Sequence, residues 1–143
     1  MQTKRIVACA AATAILVVPV AALAATKTYR GAVKGDPETS LKLRVEKEQG
    51  SRFFKAFAVQ DLAIECDDGL EARLRSARVD GRAPLGDRGR FATRGESDRQ
   101  VVRLKGKVRS RRASGTLRLS GSIGVEGETR DCRSGKVRWS AER

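Results

Sequence analysis

The chain has 143 residues, a formal net charge of +13 and no histidine. Lack of histidine removes the commonest general base and every Ser-His or Cys-His catalytic arrangement. With no C-x-x-C pair present either, a zinc site of ordinary type is excluded, and no metal or cofactor is expected.

Residues 1–24 read as an export signal. Lys4 and Arg5 form a charged start, Ile6 to Val18 is apolar and alanine-rich, and Pro19 interrupts the run. Ala22-Leu23-Ala24 then supplies the small-x-small pattern of a cleavage site. The run is just long enough for an uncleaved anchor. Its proline, its alanine content and the following Lys27, Arg30 and Lys34 favour cleavage instead. Cys9 lies too early in the run for a lipidated cysteine. Residues 25–143 are then a single extracytoplasmic domain of 119 residues, with 28 basic side chains (20 of them arginine) against 17 acids. No second long apolar segment follows, so no stable membrane span is expected after cleavage.

Period-two alternation dominates this domain and predicts half-buried strands. In "SLKLRVEKE", Leu41, Leu43 and Val45 oppose Lys42, Arg44 and Glu46. "RFFKAFAVQDLAIEC" changes parity between Val59 and Leu62, which predicts a bulge or break near Gln60-Asp61. A strand buried on both faces, or two strands, would account for it too. "LEARLRS" alternates at Leu70, Ala72 and Leu74, although its composition also suits a short helix. Val79 to Gly95 is rich in glycine and arginine and reads as a long loop around one short strand at Arg90 to Thr93. In "VVRLKGKVRS", Val102, Leu104, Gly106 and Val108 oppose Arg103, Lys105, Lys107 and Arg109. "ASGTLRLSGSI" sets Leu117 and Leu119 against Arg118, and "KVRWSA" sets Val137 and Trp139 against Lys136 and Arg138. Turn residues such as Asp67-Asp68-Gly69 and Arg133-Ser134-Gly135 separate the runs. Short strands at this spacing predict an all-β fold: an antiparallel sandwich or a small, partly closed barrel.

Cys66 and Cys132 are the two cysteines after the signal. An even pair in an exported chain is most simply one disulfide, with two free thiols as the rival reading. "CDDG" and "CRSG" place both cysteines three residues before a glycine, in equivalent settings at strand ends. The carboxylates Glu65, Asp67 and Asp68 cluster, which allows a glycosidase pair to be imagined but supplies only a fragment of a calcium loop. Asp-Asp-Gly is better explained as a hairpin turn. No Gly-rich phosphate loop and no S-x-x-K catalytic set is present.

"YRGAVKGDPETSLKLRV", "CDDG", "ASGTLRLSG" and "DCRSGKVRWSAER" together resemble a group of small exported bacterial all-β proteins without an assigned activity. The resemblance spans nearly all of residues 25–143. It rests on Tyr29 with Gly31, the cysteine pair, Gly115-Thr116-Leu117 and Trp139, and it implies a fold and export but no activity.

Positive charge is the remaining feature with functional content. Lys42, Arg44, Arg103, Lys105, Lys107, Arg109, Arg118 and Arg138 fall on solvent faces of their strands. On neighbouring strands they would form a broad cationic surface that attracts anionic polymers through salt-sensitive Coulomb forces. Outside the cytoplasm the partners would be anionic cell-envelope polymers, acidic glycans, anionic lipid headgroups or extracellular nucleic acid. Lysine and arginine also occupy solvent faces without function, where they discourage edge pairing of sheets. The sequence thus points to a secreted or cell-wall-associated, non-catalytic binding module. A structural envelope component without ligand, and a small apolar-ligand carrier, are the alternatives; an enzyme ranks below these.

Overall fold

A strand with one apolar face must share it with others, and among the described residues nine strands do so in one antiparallel sheet. The computed structural model describes residues 24–97 and 99–143. All but Ala24 of the expected export signal lies outside the described residues. The strands are β1 (Ala25–Val33), β2 (Asp36–Glu48), β3 (Ser51–Cys66), β4 (Glu71–Pro84) and β5 (Arg90–Glu96). They continue as β6 (Gln100–Val108), β7 (Arg112–Val125), β8 (Glu128–Arg133) and β9 (Val137–Glu142). The order across the sheet is β4-β3-β2-β1-β9-β7-β6-β5, and β8 pairs with both β3 and β7. This second pairing curls the sheet into a partial ring. Its seam between β3 and β8 contains two residue pairs, Glu65 with Arg133 and Cys66 with Cys132. The two cysteines are joined at that seam by a disulfide.

The ends of the strand path also approach each other. A Cβ at Gly95 on β5 would lie 3.0 Å from the Val79 side chain of β4, so the absent side chain is what admits the contact. The inward faces fill the interior with Trp139, Tyr29, Phe54 and Phe57, each almost fully buried, and with the leucines and valines of the alternating runs. Trp139 packs against Phe57 with ring centroids 5.5 Å apart, and Phe54 stacks on Phe91 at 5.3 Å. Two glycines make the space for the indole. A Cβ at either Gly106 or Gly115 would come within 2.8 Å of Trp139 Cζ2. The Tyr29 hydroxyl donates to the Arg109 carbonyl at 2.9 Å, tying β1 to the turn after β6.

The parity change expected near Gln60-Asp61 is present: Val59 and Leu62 are both buried, and Asp61 has φ +55°. The strand does not break there. Opposite it, β4 changes the face it buries between Leu74 and Ala77. A second shift lies nearer the start of β3, around Lys55, where the pairings with β2 and β4 both change register. Three hydrogen bonds hold the Asp61 kink. Its carbonyl accepts from Arg73 Nη1 at 2.6 Å and from the buried Thr39 hydroxyl at 3.2 Å, while that hydroxyl donates to Asp36 at 2.6 Å. Arg73 also grips Asp36 through Nη2 at 3.1 Å.

The segment Val79 to Gly95 is mostly strand, which corrects the loop expected there. Residues up to Pro84 continue β4, residues from Arg90 form β5, and between them lie two residues and a short 3-10 turn at Asp87–Gly89. Glycine-rich composition hid these strands: Gly95 breaks the apolar pattern while staying paired with Val102, and Gly81 lies at the register shift beside Lys55, beyond which β4 resumes its pairing with β3. "LEARLRS" is strand, not helix.

Candidate anion-binding surface

Inward packing of Val102, Leu104 and Val108 forces Arg103, Lys105 and Lys107 to the outside of β6. Pairing then decides their neighbours. Arg118 on β7 lies directly opposite Arg103; Thr116 lies opposite Lys105 and, on its other side, opposite Arg138 of β9. Ser114 lies opposite Lys107. Arg103, Lys105, Lys107, Arg118 and Arg138 therefore share the outer face of three contiguous strands. Arg109 sits just past β6, in the turn that Tyr29 tethers, with its side chain exposed.

Lys42 and Arg44 are elsewhere. They lie on β2, which is separated from β6 by β1, β9 and β7. The eight expected residues thus divide into a large group on β6, β7 and β9 and a pair on β2. Arg30 of β1 stands between the groups, opposite Lys42 on one side and Glu142 on the other.

Arg94, Arg103 and Arg118 form a row across β5, β6 and β7, each directly opposite the next. With Arg133 they line a groove of 290 Å³. Arg94 pairs with Glu96 on its own strand. Among the described residues, no ion pair joins Arg103, Arg118 or Arg133 to an acid. Like charges directly across an antiparallel ladder are destabilising. On the β2 side, Arg30, Lys42, Arg44 and Arg78 surround a 270 Å³ depression floored by Ala56 and Ala58. Arg78 is already engaged, donating to Asp80 at 2.6 and 2.8 Å. That fork holds the Asp80 carboxyl below the usual carboxylate range and lifts the Arg78 guanidinium above its own.

Of the carboxylates that raised the question of catalysis, Asp68 is committed to the turn after β3. It accepts from the Leu70 amide at 3.2 Å and pairs with Arg130. Gly69 supplies the positive φ of that turn, +80°. Glu65 does enter a surface depression, of 560 Å³, where Glu71 lies opposite it and Arg73 and Arg133 border it. Asp67 and Asp68 are outside that depression, and the side chains of Glu65 and Glu71 are exposed to solvent. Among the described residues no three His, Cys, Asp or Glu side chains converge as a metal site. No helix among them is long and apolar enough to cross a membrane.

Aromatic rings are not offered to a ligand. Tyr29, Phe54, Phe57, Phe91 and Trp139 are buried, and the half-buried Phe53 is covered by Arg82 at 3.9 Å from its ring centroid. No protein-family model, curated protein or solved structure matches the chain.

Sequence reasoning missed Arg30, Arg94 and Arg133. Arg30 was missed because β1 lacks a clear apolar alternation, and its outward direction is set by pairing with β2 and β9. Arg94 was lost with the misread loop. Arg133 follows the bonded Cys132 on β8, a strand too short to announce itself.

Proposed function

We propose that residues 25–143 form a non-catalytic, extracytoplasmic binding module for anionic polymers, which it engages through the cationic outer face of β5, β6, β7 and β9. The observation that carries this reading is the Arg94–Arg103–Arg118 row. Three arginines opposite one another in register place like charges together, Arg94 being offset in part by Glu96, and an anion lying across them relieves the remaining repulsion while accepting forked hydrogen bonds. The Cys66–Cys132 bond supports a location outside the cytoplasm, since such bonds persist in oxidising compartments. An interior filled by Trp139, Tyr29, Phe54 and Phe57 argues against an apolar-ligand carrier. A structural envelope component would carry the same charges without using them.

Retention on immobilised heparin and on DNA, measured at low and at moderate salt, separates the two. A binding module is retained at low salt and released as salt rises, because its contacts are screened and its counterions return. Reversing Arg103, Lys105 and Lys107 together to glutamate abolishes that retention and leaves the circular dichroism unchanged, since all three side chains point outward. Retention that survives the triple reversal sinks the proposal.

A further inference from the structure

Next to the cationic rows runs a lane of small, uncharged, hydrogen-bonding side chains. Ser114 of β7 lies opposite Ser140 of β9, and Ser140 lies opposite Ala32 of β1. Beyond a register shift in β1 the lane continues through Ser40 of β2, Gln60 of β3 and Ser76 of β4. Two local depressions lie along the lane. One depression of 670 Å³ contains Ala32, Ser114 and Ser140; another of 400 Å³ contains Ser40 and Gln60; both include Arg30 and Gly31, where they meet. Most of its borders are cationic. Arg112, Glu142, Arg30 and Lys42 form the flanking row on one side, with Glu142 ion-paired to Arg112; Lys105 and Arg138 form the row on the other, with Glu38 further along on β2; and Lys107 closes one end opposite Ser114.

We infer that this lane is the path of a linear acidic polysaccharide, running across the strands rather than along them. The inference rests on the binding-module reading and names its ligand class. Each serine hydroxyl both donates and accepts, and the Gln60 amide does the same, which suits a polymer carrying hydroxyls along its length. The bordering cations suit carboxylate or sulfate groups projecting to either side. Ala32, opposite Ser140, keeps the floor low at β1, so a broad ring can lie against it. A single-stranded nucleic acid would need exposed aromatic faces for its bases, and the rings of this protein are buried or covered. A simple polyphosphate has no hydroxyl to donate and would use the serines as donors only. From Lys107 to Gln60 the lane crosses five interstrand steps, about 24 Å at ~4.8 Å each.

The test compares heparin oligosaccharides of graded length with a DNA oligonucleotide of similar net charge, using the disulfide-bonded protein. Ser114→Ile and Ser140→Ile plug the lane without changing its charge, and an exposed β-branched residue suits a strand. Each is expected to weaken the oligosaccharide by about tenfold through lost hydrogen bonds and floor space and to leave the DNA nearly unaffected. Affinity in the native protein should stop rising once the oligosaccharide exceeds about 24 Å, five steps of ~4.8 Å. Ser40→Ile, further along the lane, is the second variant should either first one fail to give a native melting curve. Equal effects on both ligands, or no effect on either, overturn the polysaccharide path and leave the binding module standing. DNA bound more tightly than the oligosaccharide overturns it as well. A native protein that retains neither ligand at low salt defeats the binding-module reading itself.

Discussion

Removing the Cys66–Cys132 bond should cost about 4 kcal/mol of stability through the unfolded chain. The bond links residues 66 apart in sequence, and the loop it closes contains β4, β5, β6, β7 and most of β8. Chain-entropy reasoning assigns a loop of that length about 4 kcal/mol. The native ladder adds little, because the β3–β8 seam is two pairs long, while the two buried sulfur atoms that alanine removes add a packing loss on top. Against the ~5–15 kcal/mol typical of small domains, this is a large share. The assay is guanidinium unfolding followed by fluorescence of Trp139, the one tryptophan, comparing the oxidised protein with a Cys66→Ala/Cys132→Ala double variant. Alanine avoids leaving a hydroxyl unpaired in the core. The denaturant dependence should steepen as well, since an unlinked chain exposes more surface when it unfolds. A loss below about 1 kcal/mol with an unchanged slope would refute the reasoning, because neither loop closure nor an expanded denatured state would then be acting.

Gly115→Ala should destabilise by about 1–3 kcal/mol, the range for overpacking, since its Cβ would lie 1.9 Å from the Lys105 carbonyl oxygen. Gly124→Ala meets nothing within 4 Å and should leave the melting temperature nearly unchanged. Burial raises the Tyr29 phenol above its ordinary value, against the pull of Arg143 and Arg52. The fold therefore favours the neutral phenol, a contribution intact below the unfolded value near ~10 and lost as pH rises through the higher folded value. Near-ultraviolet absorbance of this single tyrosine should show it ionising later than a free phenol and together with unfolding. Asp36 behaves in the opposite sense. Its hydrogen bonds from Arg73 and then Thr39 hold its carboxyl below the ordinary range, so its contribution is present above ~3.9 and lost as pH falls through the lower folded value. Asp36→Asn should flatten the acid limb of the stability profile and speed hydrogen exchange around the Asp61 kink; an acid limb identical to the native one would discount the Asp36–Arg73 latch.

Strands whose inward residues are leucine, valine or isoleucine were legible in the sequence because period two was visible without tertiary information. β2, β6, β7 and β9 all have this character. β1 and β8 were not recognised as strands. β1 mixes threonine, tyrosine, glycine and alanine, and its inward positions are defined by pairing with β2 and β9. β8 is six residues long, and its one large inward contact is covalent. The kink at Asp61 was visible as a parity change. Its support by Thr39 and Arg73 was not, since those residues are 22 and 12 positions away in sequence. The outward direction of all the candidate cations followed from parity alone. Which of them meet followed from strand order, which no local pattern encodes, and so Lys42 and Arg44 were grouped with residues two to four strands away while Arg94 was missed.

The same cross-strand charges that recommend a ligand must also oppose folding, and the two effects respond to salt with opposite sign. Arg94, Arg103 and Arg118 stand in one row, and Arg30 with Lys42 and Arg90 with Lys107 add further like pairs. Each opposed pair disfavours the native state by an amount of the order of 0.2–1 kcal/mol. Added salt screens that repulsion, so the free protein should become more stable between low and moderate ionic strength. Over the same range its hold on a polyanion should weaken. Sulfate should stabilise more than chloride at equal ionic strength, because one sulfate can bridge two guanidinium groups. Arg103→Glu turns two repulsive pairs into attractive ones, so the variant should lose polyanion retention and also lose the salt-dependent gain in stability. If the native protein's stability does not respond to salt while its retention does, the arginine row is not held in mutual repulsion, and the relief of that repulsion cannot be what drives binding.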